Sequence, residues 1–281
     1  MDHREKLLQL LHSTDEVNIT LALELSKGVA SCDIENILWE YQELYRFLYK
    51  KPLGEQILVK HLVALNKNTI LDLEETGLQI LPDSLANLKH LVYLNISNNY
   101  LVALPEKWSG FTRLTHLDAS WNDLVSLPDS IAKLPQIKRL YLDRNKLQLL
   151  PVHMGDLTSL ACLSLSDNKL VSLPESFWRL CRLELLDISN NQIEEVSGKL
   201  KNLRHLRKLY MGDNQLRVLP EAIGSLSNLQ CLDLHQNALT SLPESLRNLK
   251  NLRRLYLGEN PLPLAEVEKV KNWLPECKVH F

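Results

Sequence analysis

The sequence predicts an α/β solenoid: a right-handed coil of repeating units, a horseshoe whose short strands stack into one parallel concave sheet, with an α-helical N-terminal cap and a short helical C-terminal cap. Three observations predict it. Asn99, Asn122, Asn145, Asn168, Asn191, Asn214, Asn237 and Asn260 are separated every time by 23 residues. Each asparagine follows an apolar set spaced LxxLxL, as Leu160, Leu163 and Leu165 precede Asn168, and is followed two residues later by another apolar residue such as Leu170. Leu-Pro then recurs at Leu81-Pro82, Leu104-Pro105, Leu127-Pro128, Leu150-Pro151, Leu173-Pro174, Leu219-Pro220 and Leu242-Pro243.

The elements follow in chain order. Residues 1–67 show helical periodicity and form the N-terminal cap. Within them, Ser13 and Glu16 have capping-box spacing before VNITLALELSKG, and Gly28 is placed to end that helix. A second helix begins at Asp33, runs through Ile34, Ile37, Leu38, Tyr41, Leu44, Tyr45 and Leu48, and stops before Pro52. A third, near Glu55 to Leu65, leads into the first strand. Residues 68–264 then hold nine units, the first degenerate because Thr76 replaces asparagine.

Within each unit the alternation around LxL makes a short strand with its leucines inward and the residues between them facing solvent. Asparagine can donate and accept at once, so a buried column of its amides satisfies backbone groups that the turns leave unpaired. Proline holds the convex side extended before a short helical turn, and pairs such as Ile131 and Leu134 or Ile223 and Leu226 close the core. The sixth unit, with Ser197 in place of proline and Gly198 after it, predicts a looser turn. Because each unit buries its leucines only against neighbours, both ends need covering. Residues 265–281 form the C-terminal cap, with Val267, Val270 and Leu274 on one helical face and CKVHF as an extended tail. On this reading the solenoid is complete.

Composition narrows the function classes. With 32 basic and 34 acidic residues, the formal charge of -2 provides no long-range attraction for nucleic acid or an anionic membrane. There is no apolar run long enough for a secretory signal or a transmembrane helix. The five cysteines are scattered without any CxC or CxxC group, so reduced thiols in the cytoplasm are expected.

The motif L-x-x-L-x-L-x-x-N-x-L at this period resembles that of leucine-rich repeat proteins over about 70% of the chain. The 23-residue unit with LPxxIxxLxxL is similar to the intracellular Ras-group class and to stand-alone bacterial members. That resemblance implies a non-enzymatic protein-interaction scaffold, with signalling as its setting, binding a protein or peptide partner on the concave sheet. The alternative it leaves open is an exported effector that binds a host signalling protein. No GxxxxGK[ST] loop, HRD or DFG set, or GxSxG elbow occurs, and His3, His12 and His61 have no spacing that suggests acid-base work. No catalytic residue, cofactor or metal site is expected.

Specificity must lie in the variable strand positions, which form columns. Tyr93, His116, Asp118, Trp121, Arg139, Tyr141 and Arg144 fall on neighbouring units and should cluster on the concave face, since strands lie about 4.8 Å apart. Exposed aromatics and arginines are the types that dominate binding hot spots. Asp and Tyr in the central column are also common repeat variants, whereas an exposed Trp121 leaves a large apolar area in water. A second group, Lys208, Tyr210, Arg254 and Tyr256, belongs to the basic-tyrosine phrases RKLYM and RRLYL. Acids follow those phrases closely, so an acidic peptide is a better expected ligand than nucleic acid. Cys231 and His235 share a strand but are too few for a zinc site, and Cys162 and Cys231 lie three units apart, roughly 14 Å, too far for a disulfide. Trp39, Phe47 and Tyr49 lie off the main stripe of their helix, where they either pack on the first repeat or offer a second docking surface.

Overall fold

Nine inward LxL pairs dictate nine strands, and the computed structural model, which describes residues 3–26, 32–50 and 57–281, contains them and one more. Strands β1 (Ile70–Asp72), β2 (Tyr93–Asn95), β3 (His116–Asp118), β4 (Arg139–Tyr141), β5 (Cys162–Ser164), β6 (Leu185–Asp187), β7 (Lys208–Tyr210), β8 (Cys231–Asp233), β9 (Arg254–Tyr256) and β10 (Lys278–His280) form one parallel sheet in sequence order. The register advances by 23 residues throughout the repeats, so Leu94, Leu117, Leu140 and Leu163 pair in line and are all buried. β10 continues the series beside β9 as a tenth strand, where the sequence predicts only an extended tail.

Each convex turn is a short 3-10 helix, such as Asp129–Lys133 or Glu221–Ser225; five are entered from a proline held extended (Pro128 φ -66, ψ 143), and those at Trp108 and Met154 from Lys107 and His153. Unit six does not loosen. Ser197 adopts φ -61, ψ 144, the geometry of its proline counterparts, and its hydroxyl accepts a hydrogen bond from the Lys199 N–H. A serine that caps its own turn does by hydrogen bonding what proline does by restricting φ.

The asparagine column behaves as expected. Asn145 donates through Nδ2 to the carbonyl of Ala119 in the preceding unit at 3.0 Å and accepts from the Leu124 N–H at 3.0 Å, an arrangement repeated along the stack. At the degenerate unit Thr76 donates to the Leu73 carbonyl, and Asn99 serves the Leu78 N–H from the next coil.

At the N-terminus lie α1 (His3–Leu11), α2 (Glu16–Ser26), α3 (Cys32–Tyr49) and α4 (Val59–Asn66). The sequence reading does not separate α1. Asp15, not Ser13, caps α2: its carboxylate accepts from the Val17 N–H at 2.9 Å, while Ser13 accepts from the Asp15 N–H. The helix expected to stop before Pro52 ends at Tyr49, and the third helix starts at Val59, after extended Leu58, later than the expected Glu55; Gly28 and Glu55 themselves lie outside the described residues. A buried polar network fastens this end to the repeats. Asn66 donates to the Leu11 and Ser13 carbonyls, and the Tyr41 hydroxyl donates to the Asn87 carbonyl at 3.2 Å. At the far end α5 (Leu264–Trp273) buries Val267 and Val270 against the last coil.

Candidate functional site

Position in the unit decides where a variable residue points. The residue before the ladder asparagine, or before Thr76 in the first unit, has positive φ in every repeat, from Glu75 (φ 52) to Glu259 (φ 57), and from Asn98 to Asp213 its own N–H and that of the asparagine both donate to the next coil. Left-handed backbone suits Asn, Asp or Gly, and other units place Asn98, Asp167, Asn190 and Asp213 there, or the polar Glu75, Gln236 and Glu259. Units three and four instead place Trp121 (φ 53) and Arg144 (φ 52). Trp121 is 53% exposed, and the Arg144 guanidinium carbon sits 4.0 Å from its ring centroid. An exposed indole in a conformation that disfavours it contributes little to folding, while the cation-π stack presents both side chains as one unit.

Next to this stack, hydrogen bonding fixes the state of His116. Thr115 Oγ1 donates to the Val92 carbonyl and therefore accepts from His116 Nδ1 at 2.7 Å. Nε2 is left as an acceptor for Arg139 Nη1 at 2.8 Å. The imidazole is neutral, in keeping with a pKa lowered by burial and by Arg139 and Lys138. It also meets the Tyr93 ring, with centroids 6.2 Å apart. Among the described residues Arg139 has no carboxylate in ion-pair contact, so its charge is aimed and unpaired.

Asp118 has a structural duty as well. Its Oδ1 accepts from the Ser120 N–H at 3.0 Å and from the Ser120 hydroxyl at 2.5 Å, and Asn95, Asp187 and Asp233 make the same bond to a backbone N–H two residues on. Acid at this column thus follows from the turn closing the strand. Tyr141 lies beside Cys162, its hydroxyl 3.9 Å from Sγ, and burial with that neighbour pushes its pKa up to about 12.

Lys208, Tyr210, Arg254 and Tyr256 form a separate group on β7 and β9, with Asp233 and His235 from the unit between them. His235 lies between two carboxylates, Nδ1 2.7 Å from Asp233 and Nε2 2.8 Å from Asp213. Burial lowers its pKa, but the hydrogen bonds and charges of the two aspartates outweigh this and raise it. Gly212 makes the arrangement possible: a Cβ there would lie 2.2 Å from the imidazole Nδ1. Cys231 and His235 remain without further ligands, and among the described residues no group of His, Cys, Asp and Glu is placed to hold a metal ion.

One feature escapes the strand columns. Ile80, Val102, Val125, Leu149, Val171 and Val218 line one lateral edge as exposed aliphatic side chains. Their signal was an apolar residue one or two places before six of the seven Leu-Pro pairs, which reads as core until the coil is built. In the helical segment Trp39 is 61% exposed, while Phe47 and Tyr49 pack on the core.

Models of leucine-rich repeats match residues 67–124, 135–193 and 158–216, and a leucine-rich repeat region matches residues 194–272. The chain belongs to the leucine-rich repeat family. Members of this family generally mediate protein-protein interactions, and the fold is a typical non-enzymatic scaffold. A search of curated proteins finds no match. Among solved structures, this leucine-rich repeat protein is similar to the leucine-rich repeat domain of the type III effector XopL, with TM-score 0.69 and 24% identity over 90% of this chain and 96% of that one. It is also similar to PEPR1 in a structure with AtPEP1, with TM-score 0.60 and 31% identity over 71% of this chain and 33% of that one. The plant peptide hormone receptor RGFR1 in complex with RGF2 matches with TM-score 0.59 and 25% identity over 69% of this chain and 36% of that one. The chain thus spans only about a third of the length of RGFR1 and PEPR1.

Proposed function

We propose that this protein is a non-enzymatic scaffold that holds a protein or peptide partner on its concave sheet, with Trp121, Arg139 and Arg144 at the centre of contact. The observation that carries this reading is the Trp121-Arg144 stack, an exposed aromatic and a guanidinium mounted on left-handed backbone in adjacent units. Arg139, aimed by neutral His116, adds a charged donor for a carboxylate or carbonyl, and Tyr93 and Tyr141 extend the surface. Support for a peptide or protein ligand also comes from the similar peptide hormone receptor RGFR1, solved in complex with RGF2, and from PEPR1, solved with AtPEP1. We place the protein in a reducing cytoplasm, a reading supported by its scattered thiols.

The test is affinity capture from native lysate with wild-type protein and a Trp121→Ala, Arg139→Ala, Arg144→Ala variant, both verified as folded by circular dichroism. A protein retained by wild type and lost at least tenfold with the variant supports the reading. Equal retention by both would remove these residues from the contact.

A further inference from the structure

Units seven and nine carry one phrase, KLYMGD from Lys208 to Asp213 and RLYLGE from Arg254 to Glu259. The strands β7 and β9 bring the two copies into line with β8 between them, so the concave surface there is divided into lanes. Lys208 and Arg254 make a cationic lane, extended by Lys278 on β10. Tyr210 and Tyr256, half-buried, flank Asp233 in the next lane, with His280 stacked on Tyr256 at 4.5 Å, and Asp213 and Glu259 make an acidic lane on the far side. His235 offsets one charge of the Asp213-Asp233 pair and leaves that cluster net negative. Among the described residues Lys208, Arg254, Lys278 and Glu259 have no ion-pair partner.

The spacing of the lanes selects a partner. Equivalent residues of β7 and β9 are two strand spacings, about 9.6 Å, apart. Residues seven apart on an α-helix lie on the same side and about 10.5 Å apart. An extended chain places same-side residues about 6.7 or 13.4 Å apart, matching neither. A single-signed polyanion fits poorly, since it would lie against Asp213, Asp233 and Glu259 while reaching the cations.

We propose that the C-terminal half of the concave face binds an amphipathic helix of a partner protein. Its acidic residues, seven apart, meet Lys208 and Arg254; an apolar strip lies on Tyr210 and Tyr256; a lysine or arginine edge meets Asp213 and Glu259. This rests on the concave-face reading above and specifies the ligand for a part of that face which the Trp121 cluster does not reach.

Three fluorescent 21-residue helical peptides test it by anisotropy at low salt: one with a Glu edge and a Lys edge flanking a Leu-Ala strip, one with both edges Glu, and one with both edges Lys. The two-signed peptide is expected to bind at least tenfold tighter than either other. Charge reversal by Lys208→Glu with Arg254→Glu should remove that preference, and the all-Lys peptide should then bind best, a gain that misfolding could not produce. Equal binding of the three peptides, tightest binding by the all-Glu peptide or by an oligothymidine of 20 nucleotides, or indifference to the charge reversal would each overturn the proposal. Capture lost with the Trp121 variant would persist in that event, so the broader reading stands or falls separately.

Discussion

Trp121 sits where the left-handed backbone suits asparagine, and its column includes Asn98, Asp167, Asn190 and Asp213, with Glu75, Gln236 and Glu259 at other polar places. Trp121→Asn should therefore leave stability unchanged or raise it by up to about 1 kcal/mol, since asparagine tolerates left-handed backbone and the exposed indole buries little. The same change should weaken partner capture at least tenfold. Thermal unfolding beside capture checks the two halves; a marked loss of stability would return Trp121 to a structural role. Asn145 predicts the opposite. Its Oδ1 serves the Leu124 N–H and its Nδ2 the Ala119 carbonyl, both in the preceding coil. Asn145→Ala orphans both, so unfolding in urea should show a loss of about 2–4 kcal/mol, with the concave side chains untouched.

Among elements, the junction of the helices with the first repeat depends most on pH. His12 is mostly buried, with no partner for Nε2, and burial, then the charge of Lys89, lowers its pKa to about 4. The folded value lies below the ordinary 6.5, so the unfolded chain binds more protons between them, and stability is lost as pH falls from about 6.5 toward 4. The loss at the acid end should approach about 3 kcal/mol, read from urea midpoints at pH 7 and 4.5. His12→Gln should flatten that dependence.

The elements also show what the sequence could tell. Strand positions, ladder and convex turns were legible because a 23-residue period repeats one set of constraints many times over. Strand β10 was harder to read, because Lys278 to His280 pair with β9 although the stretch lacks the asparagine that marks the other units. Ser197 misled for a different reason: its side-chain hydrogen bond to Lys199 replaces a proline by another chemistry with the same φ and ψ. The column containing Trp121 and Arg144 could be found in the sequence, but its left-handed backbone could not, and neither could the Thr115-His116-Arg139 relay that orients a guanidinium.

At the scale of the molecule, the solenoid is a rigid support on which neighbouring units set side chains about 4.8 Å apart, so a contact surface can be written unit by unit without disturbing the core. Units three and four carry an aromatic-arginine cluster, and units seven to nine carry lanes of opposite charge. Among the described residues no helix is long and apolar enough to cross a membrane. Hydrogen-deuterium exchange of the protein alone and with its captured partner tests the central claim most directly. The account predicts slowed exchange across residues 115–122 and 138–145, on the concave strands and the turns that follow them. Protection confined to the convex 3-10 turns or to the N-terminal helices would contradict it.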